Sequence, residues 1–345
     1  MTIRISPAGI LPPGTLRLGF GCAGLLHGPG PGESLRLLET AFDCGITYFD
    51  TARMYGNGGA EAVLGTMARG RRDQLIIATK AGITPPDRSV KIRALNRGAR
   101  LLNRLSPRLA KHLGARAAVD YRLGTFALPD LRRSLEKSLK ELKTDYIDVF
   151  LLHECTETDV SDGEVLGLLN SFVTQGKIRT FGIATSIDQT EAIAQSFPDL
   201  SGIVQIDSNV WNLNIRRLAV RPGDLVITHS TLTTRFRELT SRLRSAPPSA
   251  SRWKSVLAID PLDTQALAQL FLAHALHLNQ GGAVLFSSIN PSNIEASVAV
   301  ARHGFITAEQ VAGIDALIRD NEPSLRLEEA HRDYLRVGQP RQIFG

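Results

Sequence analysis

An acid, a phenol, an ammonium and an imidazole stand at Asp50, Tyr55, Lys80 and His153, each at or just beyond the end of a short apolar run of strand length. Together these types suit proton transfer to a carbonyl oxygen that becomes an alkoxide. A phenol with an ordinary pKa near ~10 is a poor proton donor at neutral pH, but a neighbouring cation stabilises the phenolate and brings the group toward the working range. Lys80 is expected to supply that cation, Asp50 to hold the lysine charged and oriented, and His153 to hydrogen-bond the carbonyl oxygen and position it. Singly, a strand-end Asp is more often a cap, a Tyr a packing residue and a His a satisfied core group. The case rests on all four arriving in succession.

Side chains so far apart in the chain meet only if their strands end at one mouth, as in a parallel α/β barrel. The chain alternates accordingly. Strands are expected over 16–21, 46–50, 74–79, 146–152, 178–184, 202–207, 225–229 and 283–286. Helices are expected over 33–44, 59–69, 129–143, 162–174, 189–196, 264–278, 293–301 and 308–319. Eight strands, mostly each followed by a helix, predict a (β/α)8 TIM barrel with a C-terminal extra helix. The rival doubly wound sheet wants G-x-G-x-x-G after the first strand, and Gly19 and Gly21 give only G-x-G. We therefore expect one barrel domain over 1–345, with an insertion at about 84–124 after the third strand and an extension at about 304–345.

The insertion carries the chain's net positive charge. Between Arg88 and Arg122 there are ten Lys or Arg against one acid, in a chain whose net charge is +6. Leu101, Leu102, Leu105, Leu109 and Leu113 suggest short amphipathic helices within it. Its place after the third strand makes it either a lid over the barrel mouth or a solvated helical face. Apart from Tyr121 at its end, no aromatic side chains interleave with the arginines, which argues against nucleic acid as a partner.

With 43% hydrophobic and 21% charged residues, the composition is that of an ordinary globular protein able to bury a large core. Neither a membrane-spanning run nor a secretory leader is legible, so a cytoplasmic location and no membrane partner are expected. Cys22, Cys44 and Cys155 lie far apart without metal-ligand spacing, and neither a disulfide nor a metal is expected.

The stretch YFDTARMYGNGGAEAVLG at 48–65, with ATK at 78–80 and LLHE at 151–154, resembles the aldo-keto reductases, and the likeness runs from about Leu16 to about Ala301. The resemblance implies a (β/α)8 barrel and NAD(P)(H)-dependent hydride transfer between nicotinamide and a carbonyl carbon. It places the catalytic tetrad on Asp50, Tyr55, Lys80 and His153, with Tyr55 as general acid in reduction and general base in oxidation. It also implies that Gln205 binds the carboxamide and that Ser230, Leu232 and Ser288 contact phosphates. Thr185, His229 and Asn293 stand where the family often has Ser-Asn, a stacking aromatic and a cation for the 2′-phosphate. The cofactor is thus expected to be NADP(H) or NAD(H), with the preference open.

Trp211, Leu25 and His27 either line the pocket for a small-molecule carbonyl or alcohol substrate or pack two loops. The assembly is expected to be a monomer or small homo-oligomer. A nucleotide-binding barrel acting as a regulatory or interaction subunit is the alternative function.

Overall fold

The computed structural model of the chain describes residues 7–85, 122–304 and 306–320. Eight parallel strands pair in sequence order and close into a barrel: β1 (Leu18–Gly21), β2 (Tyr48–Asp50), β3 (Ile76–Ala81), β4 (Ile147–His153), β5 (Ile178–Ala184), β6 (Ile203–Asp207), β7 (Leu225–His229) and β8 (Ala283–Phe286). The pairing of β8 with β1 completes the ring and excludes the open doubly wound sheet.

The strands are short and almost wholly buried because each is covered on both faces, as a parallel sheet requires. One face of each strand lines the barrel interior, where Tyr48, Ala78, Val149, Leu151, Ile203, Leu225, Ile227 and Leu285 pack together. The other face meets the surrounding helices. Helix α1 (Pro31–Asp43) buries Leu37, Leu38 and Ala41, and α2 (Ala60–Met67) buries Val63, Leu64 and Met67. In α3 (Leu128–Leu142), Leu131, Leu135, Leu139 and Leu142 recur at helical spacing on the buried face while Lys and Arg face outward. Lys143 closes this helix in the left-handed conformation, and α4 (Glu164–Thr174) and α5 (Ile187–Ser196) continue the ring.

Between β7 and β8 lies a helical pair that the sequence pattern does not announce: α6 (Thr234–Ser245) and α7 (Pro247–Leu257). Their apolar residues Leu239, Leu243, Trp253 and Leu257 join Phe271 of α8 (Thr264–Leu278) and Ile314 and Leu317 of a terminal helix (Ala308–Asp320). This is a second small core outside the barrel. Between β8 and that terminal helix, α9 (Pro291–His303) packs back toward α1, and the terminal helix is α10.

The excursion after β3 begins and ends at one place. Thr84 and Arg122 form an antiparallel bridge, and Thr125 N–H donates to Gly82 O at 3.0 Å. The basic cluster and the leucine-spaced helices expected between them lie outside the described residues, as does the tail beyond 320. Among the described residues no helix is long and apolar enough to cross a membrane.

Candidate active site

Side chains alternate along a strand, so every second residue points into the barrel. The inward series read Tyr48, Asp50 on β2; Ala78, Lys80 on β3; and Val149, Leu151, His153 on β4. Each is apolar or aromatic at depth and ends in a polar residue at the C-terminal mouth. The same alternation gives Ile203, Gln205 and Asp207 on β6, and Leu225, Ile227 and His229 on β7. Register sets them side by side, with Asp50 opposite Ala78, Lys80 opposite Leu151, His153 opposite Ala184 and Ala184 opposite Gln205.

Lys80 Nζ donates to Asp50 Oδ1 at 2.6 Å and to Thr51 O at 3.0 Å, and lies 3.4 Å from Tyr55 Oη. Lys80 is 1% and Asp50 2% exposed, so the ion pair is withdrawn from water. Tyr55 is buried beside it, with its ring edge-on to His153 at 6.2 Å and 88°. The tetrad expected from sequence is therefore one contiguous cluster.

The loop carrying Tyr55 is held in an unusual backbone. Gly56 and Asn57 both take left-handed angles, and a Cβ on Gly56 would meet Leu26 Cδ1 at 2.9 Å and Leu25 O at 3.1 Å. Glycine relieves this close approach of the β1 loop to the turn carrying the phenol.

Burial pushes the His153 imidazole well below its ordinary pKa, with Lys80 and then His229 adding in the same direction. It is therefore neutral at pH 7, with one ring nitrogen able to donate and the other to accept. Burial also lowers the pKa of His229, partly countered by Asp207 and Asp50. Its Nδ1 lies 2.8 Å from Ser230 Oγ, and Ser230 is itself left-handed at φ 62°.

The remaining candidate residues divide. Gln205 Oε1 is buried without a hydrogen-bond partner among the described residues, an acceptor placed at the mouth. Thr185 spends its hydroxyl proton on Cys155 O at 2.9 Å, leaving only its lone pairs. Ser288 Oγ donates to Asn290 O and accepts from Asn290 N–H, forming the turn that enters α9, whose Ser292 N–H is capped by the Asn290 side chain. Asn293 in the first turn of α9 and Leu232 are exposed. Leu25 is buried in the core and His27 is exposed. Trp211 is half-buried, edge-on to Phe271 at 5.8 Å, as part of the second core. No cluster of three metal-ligating side chains occurs among the described residues.

One group near the tetrad has no part in the expectations drawn from sequence. Glu61 of α2 is fully buried, paired with Arg53 and accepting from Thr79 Oγ1 at 2.7 Å. An acid on the apolar face of a short helix was the available signal.

The aldo/keto reductase family model matches residues 17–319. The chain belongs to the aldo/keto reductase family. Among relatives of this aldo/keto reductase are the uncharacterized oxidoreductase YqkF of Bacillus subtilis, 30% identical over 49% of this chain and 44% of that protein, and the aldo-keto reductase yakc [NADP(+)] of Schizosaccharomyces pombe, 28% identical over 58% and 51%. The aligned part thus spans about half the length of these curated relatives. Solved folds agree along most of both chains. The holo form of aldo-keto reductase AKR11C1 from Bacillus halodurans superposes with a TM-score of 0.64 at 22% identity, covering 92% of this chain and 95% of the other. An aldo-keto reductase from Klebsiella pneumoniae in complex with NADPH gives 0.63 at 20% identity, covering 90% and 94%.

Proposed function

We propose that the protein is an NAD(P)(H)-dependent oxidoreductase interconverting an aldehyde or ketone and its alcohol, with Tyr55 as general acid in reduction and general base in oxidation. The observation that carries this reading is the buried chain from Asp50 through Lys80 to Tyr55, with a neutral imidazole at its end. Proton donation from Tyr55 Oη to a carbonyl oxygen leaves a phenolate whose charge develops beside the Lys80 ammonium, away from bulk water. Asp50 keeps that ammonium aimed at the phenol. A ring N–H of neutral His153 donates to the same carbonyl oxygen and fixes its approach.

The mouth fits a nicotinamide nucleotide at one telling atom. The buried Gln205 Oε1 wants a donor, and a carboxamide NH2 is a donor of the right type. His229, Ser230, Leu232, Thr185, Ser288 and Asn293 would form the rest of the cradle, and Trp211, Leu25 and His27 belong to the loops on the substrate side. Bound there, the reduced nucleotide supplies the hydrogen and two electrons that convert the carbonyl carbon to an alcohol carbon. The S. pombe relative, whose name carries NADP(+), and the K. pneumoniae complex with NADPH support the same cofactor class. Asn293 brings no charge to a 2′-phosphate, and the missing charge-assisted pair is worth ~1.5–3 kcal/mol, so NADPH holds less advantage over NADH here.

The test is a fluorescence titration with NADPH and NADH, followed by nicotinamide absorbance with a panel of aldehydes and ketones. Binding with turnover is expected. Binding without turnover on any carbonyl would favour a regulatory nucleotide-binding barrel, and no binding of either nucleotide would overturn both readings.

A further inference from the structure

Tyr55 and Lys80 belong to different segments of chain, and the chemistry proposed above depends on their staying 3.4 Å apart. From inside the barrel, Lys80 itself fastens the two by donating to Thr51 O at 3.0 Å. A second fastening lies outside. Thr79 precedes Lys80 on β3 and so faces the opposite way, toward α2, where its Oγ1 donates to Glu61 Oε1 at 2.7 Å. The other carboxylate oxygen, Oε2, receives Arg53 Nη1, and Arg53 sits two residues before Tyr55. Glu61 is 0% exposed, and Thr79 and Arg53 are buried as well. One carboxylate therefore holds the Tyr55 loop with one oxygen and the Lys80 strand with the other.

The loop leaves little slack elsewhere. Tyr55 N–H donates to Ala52 O at 3.1 Å, and a Cβ on Gly58 would meet Arg53 O at 3.3 Å. A buried ion pair of this kind contributes little net stability against apolar packing, but it fixes geometry.

We propose that Glu61 is a positioning residue for the acid–base step, clamping Arg53 and Thr79 so that the Tyr55 phenol and the Lys80 ammonium are held in register. The inference rests on the reductase reading above. It predicts that Glu61→Gln, which keeps shape and the Thr79 hydrogen bond but removes the charge that holds Arg53, loosens the loop. A displacement of about 1 Å at a reacting pair lowers rate by as much as ~100-fold, so kcat should fall roughly tenfold to a hundredfold.

The experiment compares wild type, Glu61→Gln and Thr79→Val. It measures kcat per titrated nucleotide-binding site, KM, nucleotide Kd and the Lys80 Nζ to Tyr55 Oη separation in crystals. The expected result is a lower kcat per site in Glu61→Gln, a smaller fall in Thr79→Val, KM and Kd within about twofold, and a lengthened separation. A merely structural role would reduce the number of binding sites without changing kcat per site. Wild-type kcat per site, or a lowered kcat with the separation unchanged, would overturn the proposal. Should Glu61→Gln not fold, Thr79→Val is read by the same two criteria. Should wild type bind nucleotide without turning over any carbonyl, the reductase reading fails and the clamp stands or falls on the separation alone.

Discussion

The Lys80 ammonium nitrogen lies 3.4 Å from the Tyr55 phenol oxygen although the two residues come from different βα units of the barrel. That distance is short enough for the cation to stabilise a phenolate. It exists because β2 and β3 end side by side, with Asp50 aligned to Ala78, two residues short of Lys80.

Removing the cation tests both stability and rate. Lys80→Met leaves Asp50 as an uncompensated carboxylate in a buried site, so unfolding free energy should drop by about 3–5 kcal/mol, and turnover should be lost as well. Denaturant melts of Lys80→Met and of the double variant Asp50→Asn/Lys80→Met check this. The double variant should recover much of the stability and none of the rate.

The buried imidazoles give stability a pH dependence of definite sign. His153 and His229 have pKa values lowered from 6.5 in the fold, mainly by burial, and His274 is lowered in the same way. Below about 6.5 the unfolded chain takes up protons that the folded chain refuses, so stability rises with pH in this window. Thermal midpoints should fall as pH is taken from 7 toward 5, and the slope should flatten in His153→Gln. An unchanged slope would remove His153 from the account.

Gly56 takes the left-handed backbone in the turn that carries Tyr55. Gly56→Ala should cost about 1–2 kcal/mol through its left-handed conformation and the contact with Leu26. Because Tyr55 is its neighbour, turnover should fall more than stability accounts for, which a melt run beside the activity assay will show.

The second core makes a prediction about stability, read apart from the acid–base step. Phe271 touches Trp211, Phe236 and Trp253 with ring centroids 5.7–6.4 Å away, so Phe271→Ala should destabilise by about 3–5 kcal/mol. Because Phe271 also backs Trp211 on the substrate-side loop, the folded fraction should keep its nucleotide affinity while any change in turnover appears in KM.

Much of this architecture was legible because the barrel repeats one physical solution. Apolar strands ending in Asp50, Lys80 and His153 show both the parallel sheet and the mouth, and the period of two then fixes which side chains point inward. Gln205 and His229 are marked in the sequence only by the resemblance of the sixth and seventh strands to the family. The helices α6 and α7 are not legible because α6 carries four arginines and a glutamate among few apolar residues and α7 opens on Pro247-Pro248, which reads as loop. Only the tertiary contact with Phe271 reveals their buried faces. Glu61 escaped for a related reason: a carboxylate belongs on an apolar face only when Arg53 and Thr79 are there to meet it, and sequence spacing does not show that meeting. The side-chain commitments of Thr185 to Cys155 O and Ser288 to its own turn are likewise products of packing.

Tyr55→Phe tests the central claim most directly, because it removes one oxygen atom from the buried chain and leaves the ring against His153. Nucleotide affinity by fluorescence titration should stay within about twofold of wild type, while kcat for aldehyde reduction should fall by about 100-fold or more. Turnover in Tyr55→Phe comparable to wild type, with nucleotide bound, would contradict the assignment of the phenol as the proton donor.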